Sequence, residues 1–383
     1  MEQEDKRLID MDAMKIFAIL FVLFNHTGGN GYFVFMKCEV GTLPFILSLF
    51  LSIFCKFTVP IFFMISGALL LKKDGFDFKR NIKKIFKVLF IIVLFSLLRK
   101  WSEMHHQQFF KELSELCAGI FVHRDFSVLK AFYDSFDPGE YTSVLKKAYV
   151  EFFEGDLLFL YLYVEFLFIF PFLHLISKKI EKEHFYYLVF LIVFFGGIVP
   201  CLEYLFTGEG YLLSPILRNG WIFAFVPLLG YYAEFKLDDV SGKSLIVLWG
   251  VNLLAIAVSM YLTYRHIYGV SLLFTENYHK LFYVLNALTI FLTFKKYCRG
   301  VPPKAARVFS FLSKSVFTVY LMHVNLGHFL PDMTNKLQEY IDQGMFPSAV
   351  LLITGSILLN YVCGVLIWFS LSKTPVLKKL TYV

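Results

Sequence analysis

The chain has 383 residues, of which 57% are hydrophobic, 19% aromatic and only 17% charged, and its mean hydropathy is +0.63. Soluble domains are roughly half apolar and a quarter charged, so this composition excludes an ordinary water-soluble fold. The formal charge of +7 does not point to nucleic acid, because the basic residues stand in short clusters between apolar blocks rather than on one module.

The apolar residues come in blocks near bilayer length. In chain order, spans are predicted near 13–30, 44–71, 85–101, 156–176, 185–205, 216–234, 244–263, 279–295, 309–330 and 346–371. The predicted class is all-α, a polytopic transmembrane bundle of about ten spans that forms a single domain over residues 1–383. Glu2, Glu4, Asp5, Asp10 and Asp12 occupy the region where a cleavable leader would be basic, so the first span is expected to stay in the mature protein. The six cysteines are far apart and suggest neither a zinc site nor a disulfide framework, and no metal is expected.

Orientation follows from the cations in the connections. With a cytoplasmic N-terminus, the inside loops hold Lys72, Lys73, Lys79, Arg80, Lys83, Lys84 and Lys87, then Lys178, Lys179 and Lys182, then Lys295, Lys296, Arg299, Lys304 and Arg307. The short outside connections hold Lys37, Arg265, Lys280 and Lys336. That asymmetry predicts both termini inside, in a multi-pass protein of the cytoplasmic membrane. The long connection at about 102–155, with Asp137-Pro138-Gly139 as turn material, is expected outside, either as a lid or docking surface or as a plain loop. No internal repeat is visible, which argues against transporter folds built from related halves.

The first span carries the most information. Its purely apolar run, Ile16 to Phe24, is about half of what a crossing needs, so Lys15 and His26 lie within or close to the membrane. Eleven residues at 100° each return to nearly the same helix face, about 16 Å further along the axis. Asp12, three residues before Lys15, shares the stripe and can pair with it. Either Lys15 snorkels to the headgroups and His26 ends the helix, or this face looks into a polar cavity, where His26 can take a proton from a hydroxyl.

A second histidine, His323, stands in a later span, with Tyr320 three residues earlier on nearly the same face. Glu165 is an isolated carboxylate in an aromatic-rich span, so it must be paired, protonated or wet. In Thr58-Val59-Pro60-Ile61-Phe62-Phe63-Met64-Ile65-Ser66-Gly67, Pro60 and Gly67 suggest a bend with close backbone packing, and Ser66 can satisfy freed backbone groups. The basic stretch with Lys79 and Arg80 reads either as topology and lipid contact or as a seat for the phosphates of a nucleotide-bearing donor.

Together these residues resemble the acyltransferase-3 family of integral membrane acyltransferases. Asp12-Ala13-Met14-Lys15 leading to His26 is similar to the family's first-helix pattern of a cation, ten residues and a histidine. Phe62-Phe63-Met64-Ile65-Ser66-Gly67 followed by Lys79-Arg80, then Leu157-Leu158-Phe159-Leu160, Gly230-Tyr231-Tyr232 and Tyr320-Leu321-Met322-His323, resemble further family elements in order. Lys15 stands where Arg is commoner, and lacks an arginine's bidentate reach; Leu158 stands where many members carry Trp.

The resemblance implies transfer of an acyl group, acetyl above all, from cytosolic acyl-CoA to a hydroxyl of an envelope sugar, polysaccharide or lipid-linked sugar. It assigns His26 and Lys15 to catalysis, Asp12, Ser66, Glu165, Tyr320 and His323 to the cavity, and Lys79 and Arg80 to coenzyme A. An exporter of polysaccharide or lipid-linked sugar is the alternative, since a bundle lined with aromatic and polar groups also suits sugar passage. A structural membrane subunit is a third reading, under which neither Lys15 nor His26 matters.

Overall fold

In a computed structural model of the chain, the described residues are 9–27, 31–73, 75–98, 157–199, 201–202, 206, 221–269, 282–328 and 333–381. Among them the regular structure is entirely helical. The elements are α1 (Ile9–His26), a 3-10 turn (Gly31–Lys37), α2 (Leu43–Phe54), a second 3-10 turn (Cys55–Phe57), α3 (Thr58–Leu71) and α4 (78–98). Then come α5 (Leu158–Lys179), α6 (Lys182–Val193), α7 (Trp221–Phe235), α8 (Gly242–Gly269) and α9 (Tyr283–Cys298). The chain closes with α10 (Pro303–Ser313), α11 (Val316–His328), α12 (Met333–Asp342), α13 (Phe346–Ser372) and α14 (Pro375–Lys378). The predicted 102–155 connection lies outside the described residues.

As far as the described residues reach, each predicted span falls on a helix. Among the described residues, four segments are by themselves long and apolar enough to cross a bilayer: Leu43–Leu71, Phe159–Lys179, Gly242–Arg265 and Phe346–Ser372. The stretch predicted as one span near 309–330 is two helices, because the polar run Ser313-Lys314-Ser315 breaks it between α10 and α11. That break places Lys314 in a turn.

The 29-residue segment Leu43–Leu71 starts at Thr42, whose hydroxyl accepts the Phe45 N–H at 3.4 Å, with a proline in the first turn. Its 3-10 turn at Cys55–Phe57 interrupts the regular ladder, and in lipid every loosened carbonyl needs a partner. Asn286 on α9 supplies one: its Nδ2 donates to the Phe54 carbonyl at 2.9 Å, while Asn252 on α8 donates to Asn286 Oδ1 at 3.0 Å. One buried amide pair thus pins α8, α9 and the α2–α3 joint together.

Lipid tails give helices no hydrophobic reason to associate, so close packing has to do it. α3 and α7 meet through two glycines. A Cβ on Gly67 would stand 1.9 Å from the Pro227 carbonyl oxygen, and one on Gly230 would stand 2.0 Å from the Met64 carbonyl oxygen. α1 lies in the middle, packed against α3, α9, α10, α11 and α13, with Met14, Ala18, Ile19 and Leu23 fully inside.

The basic connections gather at the end where α1 begins. Lys178 donates to the Lys73 carbonyl at 2.9 Å, Lys236 to Ile180 at 2.8 Å, and Lys295 to Ala233 and Leu237 at 2.7 and 2.8 Å. Lysines over helix C-terminal carbonyls satisfy orphaned acceptors and complement the helix dipole. Arg299 joins the first helix to this layer: its Nε donates to Asp10 Oδ2 at 3.0 Å, and its Nη2 pairs with Glu234 Oε1. The loops assigned to the inside by charge therefore share one face.

Candidate functional site

A cavity of about 340 Å³ opens between α1, α3, α4, α5, the α10–α11 turn and α11. Its wall is mostly apolar: Phe62, Ile65, Leu69 and Leu70 from α3, Phe159, Leu160 and Tyr163 from α5, and Val316, Phe317 and Tyr320 from α11. Three ammonium groups edge it, Lys15, Lys84 and Lys314, with the hydroxyls of Ser66, Ser313 and Thr381. No carboxylate is among the described residues that line it.

Lys15 arrives there because α1 is buried on its other sides. Its Nζ stands 3.5 Å from Asp12 Oδ1, the i,i+3 pair foreseen from spacing, and Asp12 is 3% exposed. A buried carboxylate beside a partly exposed ammonium restricts where that ammonium can reach. Lys84 stands over the Tyr163 ring, 5.2 Å from its centroid. Burial, and then the neighbouring charges of Lys73, Lys87 and Arg80, pull the Lys84 ammonium down to about 8.

The histidines meet at the far end of α1. The rings of His26 and His323 are edge to face, with centroids 4.7 Å apart. His323 is 2% exposed, and its Nδ1 bonds the Tyr320 carbonyl. A carbonyl only accepts, so Nδ1 carries the proton and, in the neutral ring, the lone pair sits on Nε2. Asn360 on α13 donates to the His323 carbonyl at 3.0 Å and fixes that turn of α11.

Tyr320 connects the two ends. Its ring lines the cavity, stacks on His323 at 5.4 Å and meets Phe159 edge-on at 5.6 Å. A chain of ring contacts therefore runs from the wall that Lys15 shares to His26, whose own side chain does not line the cavity.

Of the residues singled out in the sequence, Lys15, Ser66 and Tyr320 line the cavity, Asp12 holds Lys15, and His26 and His323 form the pair beyond Tyr320. Glu165 does not belong to this group. It is exposed on the same stripe of α5 as Phe168 and Phe172, because Tyr163 and Phe166 take the inward face. Lys79 and Arg80 are also exposed and away from the cavity wall. Lys84 takes the cavity position instead, since it follows Arg80 by one helical turn on the same side of α4.

Three features were missed in the sequence. Lys314 and Thr381 reach the cavity from turns that no periodicity marks. Lys56, inside the span Leu43–Leu71, donates to Asn25 Oδ1 at 3.0 Å beside His26, and an isolated Lys between apolar runs was signal enough to flag it. The third is Arg299 with Asp10 and Glu234, whose members lie far apart along the chain.

A helical membrane bundle that holds a cation-edged apolar cavity against a histidine pair defines the class. A family model described as an acyltransferase domain matches residues 8–365, and the chain belongs to the acyltransferase-3 family of membrane acyltransferases. No curated protein and no solved structure matches the chain significantly.

Proposed function

We propose that the protein transfers an acyl group, acetyl above all, from cytosolic acyl-CoA to a hydroxyl of a cell-envelope sugar, polysaccharide or lipid-linked sugar at the cytoplasmic membrane. The observation that carries this reading is Tyr320: one ring belongs to the Lys15 cavity and also stacks on the histidine that faces His26. Family membership favours an enzyme over the exporter that the sequence alone left open.

The chemistry divides along α1. A thioester arm lodged against the apolar wall passes Lys15, whose charge orients the donor on its way toward His26. His26 takes the proton of the acceptor hydroxyl as its oxygen attacks the carbonyl carbon. The new C–O bond replaces the C–S bond, and the coenzyme A thiolate leaves and is reprotonated. Lys15 and His26 are about 16 Å apart along the helix, too far to touch one carbonyl together in a static bundle. The acyl end of the donor therefore has to advance past Tyr320 and His323, which the length of the pantetheine arm and its narrow β-alanyl-cysteamine end permit.

The test is ester analysis of envelope glycans from cells that hold equal membrane amounts of wild type, His26→Ala or Lys15→Ala. Loss of a general base lowers rates by about 10²–10⁴-fold, so acetyl esters should vanish in the His26 variant. Unchanged ester content in both variants overturns the assignment.

A further inference from the structure

The cavity carries more positive charge than the acyl transfer needs. Lys15 is matched by Asp12, but no carboxylate among the described lining residues faces Lys84 or Lys314. Lys84 is partly buried on α4, whereas Lys314 is exposed in the α10–α11 turn.

The end of the chain closes this side. After α13 it turns through α14, and the Lys378 carbonyl accepts both the Thr381 N–H at 3.1 Å and the Thr381 hydroxyl at 2.8 Å. Leu380 packs on the main core, and Thr381 is 3% exposed in the cavity wall, while Lys378 and Lys379 remain exposed. The tail is thus a strap, hydrogen-bonded at Lys378, that seats Thr381 in the cavity wall, with the exposed Lys378 and Lys379 three and two residues before it in the same turn.

We propose that Lys314 and this strap, through Lys378 and Thr381, form with Lys84 the seat for the phosphate groups of the donor, at the open end of the cavity that holds its thioester arm. The inference rests on the acyl-CoA reading and deepens it. Lysines supply point charges without demanding a fixed fork geometry, which suits several phosphates on a flexible ligand. The Thr381 hydroxyl, whose proton goes to the Lys378 carbonyl, anchors the strap. The seat differs from the one expected at Lys79 and Arg80, both of which lie off the cavity wall.

The experiment uses the full chain in phosphatidylcholine nanodiscs, titrated with coenzyme A and with pantetheine, which lacks the phosphates. Wild type should hold coenzyme A at least about tenfold more tightly than pantetheine. Lys314→Gln and Lys378→Gln should each weaken coenzyme A by about threefold to fivefold, as expected for exposed charge pairs, and together by about tenfold or more. Pantetheine affinity should stay within about twofold, which also reports an intact cavity. Added salt should weaken coenzyme A less in the double variant than in wild type.

An anionic lipid headgroup has the same chemistry, so the titration is repeated with phosphatidylglycerol in the discs. Loss of affinity in the neutral discs identifies the donor; loss confined to the anionic discs assigns the seat to lipid and overturns the proposal. Wild-type binding of coenzyme A that both variants retain also overturns it. Failure of wild type to bind coenzyme A at all overturns the acyl-CoA reading and the seat with it.

Discussion

Gly67→Ala is a one-carbon change that should disable the protein. The added carbon would sit 1.9 Å from the Pro227 carbonyl oxygen and 2.5 Å from both the Pro227 carbonyl carbon and Cα, and all three are backbone atoms that no rotamer can move. Ordinary contact begins near 3.4 Å, so α3 and α7 would have to part by about 1.5 Å. Overpacking of this kind costs about 1–3 kcal/mol, and here it also opens an interface that depends on close approach. The activity loss should exceed the stability loss, because Phe62, Ile65, Ser66 and Leu69 are carried on α3 and line the cavity. A displacement near 1 Å in a positioned site lowers rates by about 10²-fold. The assay is thermal unfolding in nanodiscs alongside acyl transfer, with Gly355→Ala as control, since nothing stands within 4 Å of a Cβ there. The control should be neutral or slightly stabilised, alanine being the better helix former by about 1 kcal/mol. Equal stability and activity of the two variants would refute the argument.

Three further outcomes are expected. Arg299→Ala leaves the Asp10 and Glu234 side chains, 0% and 1% exposed, without their shared cation; unfolding in nanodiscs at neutral pH should ease by about 3 kcal/mol, the low end for a broken buried pair because Arg299 itself is 39% exposed. An unchanged melting temperature at pH 7.5 would count against the cluster. With Lys84 lowered to about 8, its ammonium is mostly charged at pH 7 and mostly neutral at pH 9. Coenzyme A affinity should therefore fall across that window, and Lys84→Gln should remove that part of the fall; identical pH profiles would exclude Lys84 from the donor site. Asn286→Leu deprives the Phe54 carbonyl and Asn252 of a partner, and should destabilise the bundle by about 1–3 kcal/mol in the same melting assay.

Periodicity and charge were enough to place the helices and to put Lys15 and His26 on one face, because bilayer length and the helical repeat act on every residue alike. The Asp12–Lys15 pair was legible for the same reason: its partners are one turn apart. Glu165 was misplaced because an isolated carboxylate in an apolar run announces only that it is unusual, not which way its helix is turned. That depends on Phe166 finding Phe63 on α3 and Tyr163 finding Lys84 on α4, contacts that only the assembled bundle decides. The approach of His26 to His323, nearly 300 residues away in sequence, and the return of Thr381 to the cavity are long-range outcomes of the same kind.

The most direct measurement is an experimental structure of the protein with a non-transferable acyl-CoA analogue bound. The account predicts the pantetheine arm of the analogue along the cavity wall beside Lys15, its acyl end past Tyr320 toward His26, and its phosphates beside Lys84 and Lys314. An analogue bound outside the cavity, with Tyr320 and the histidine pair untouched, would contradict it.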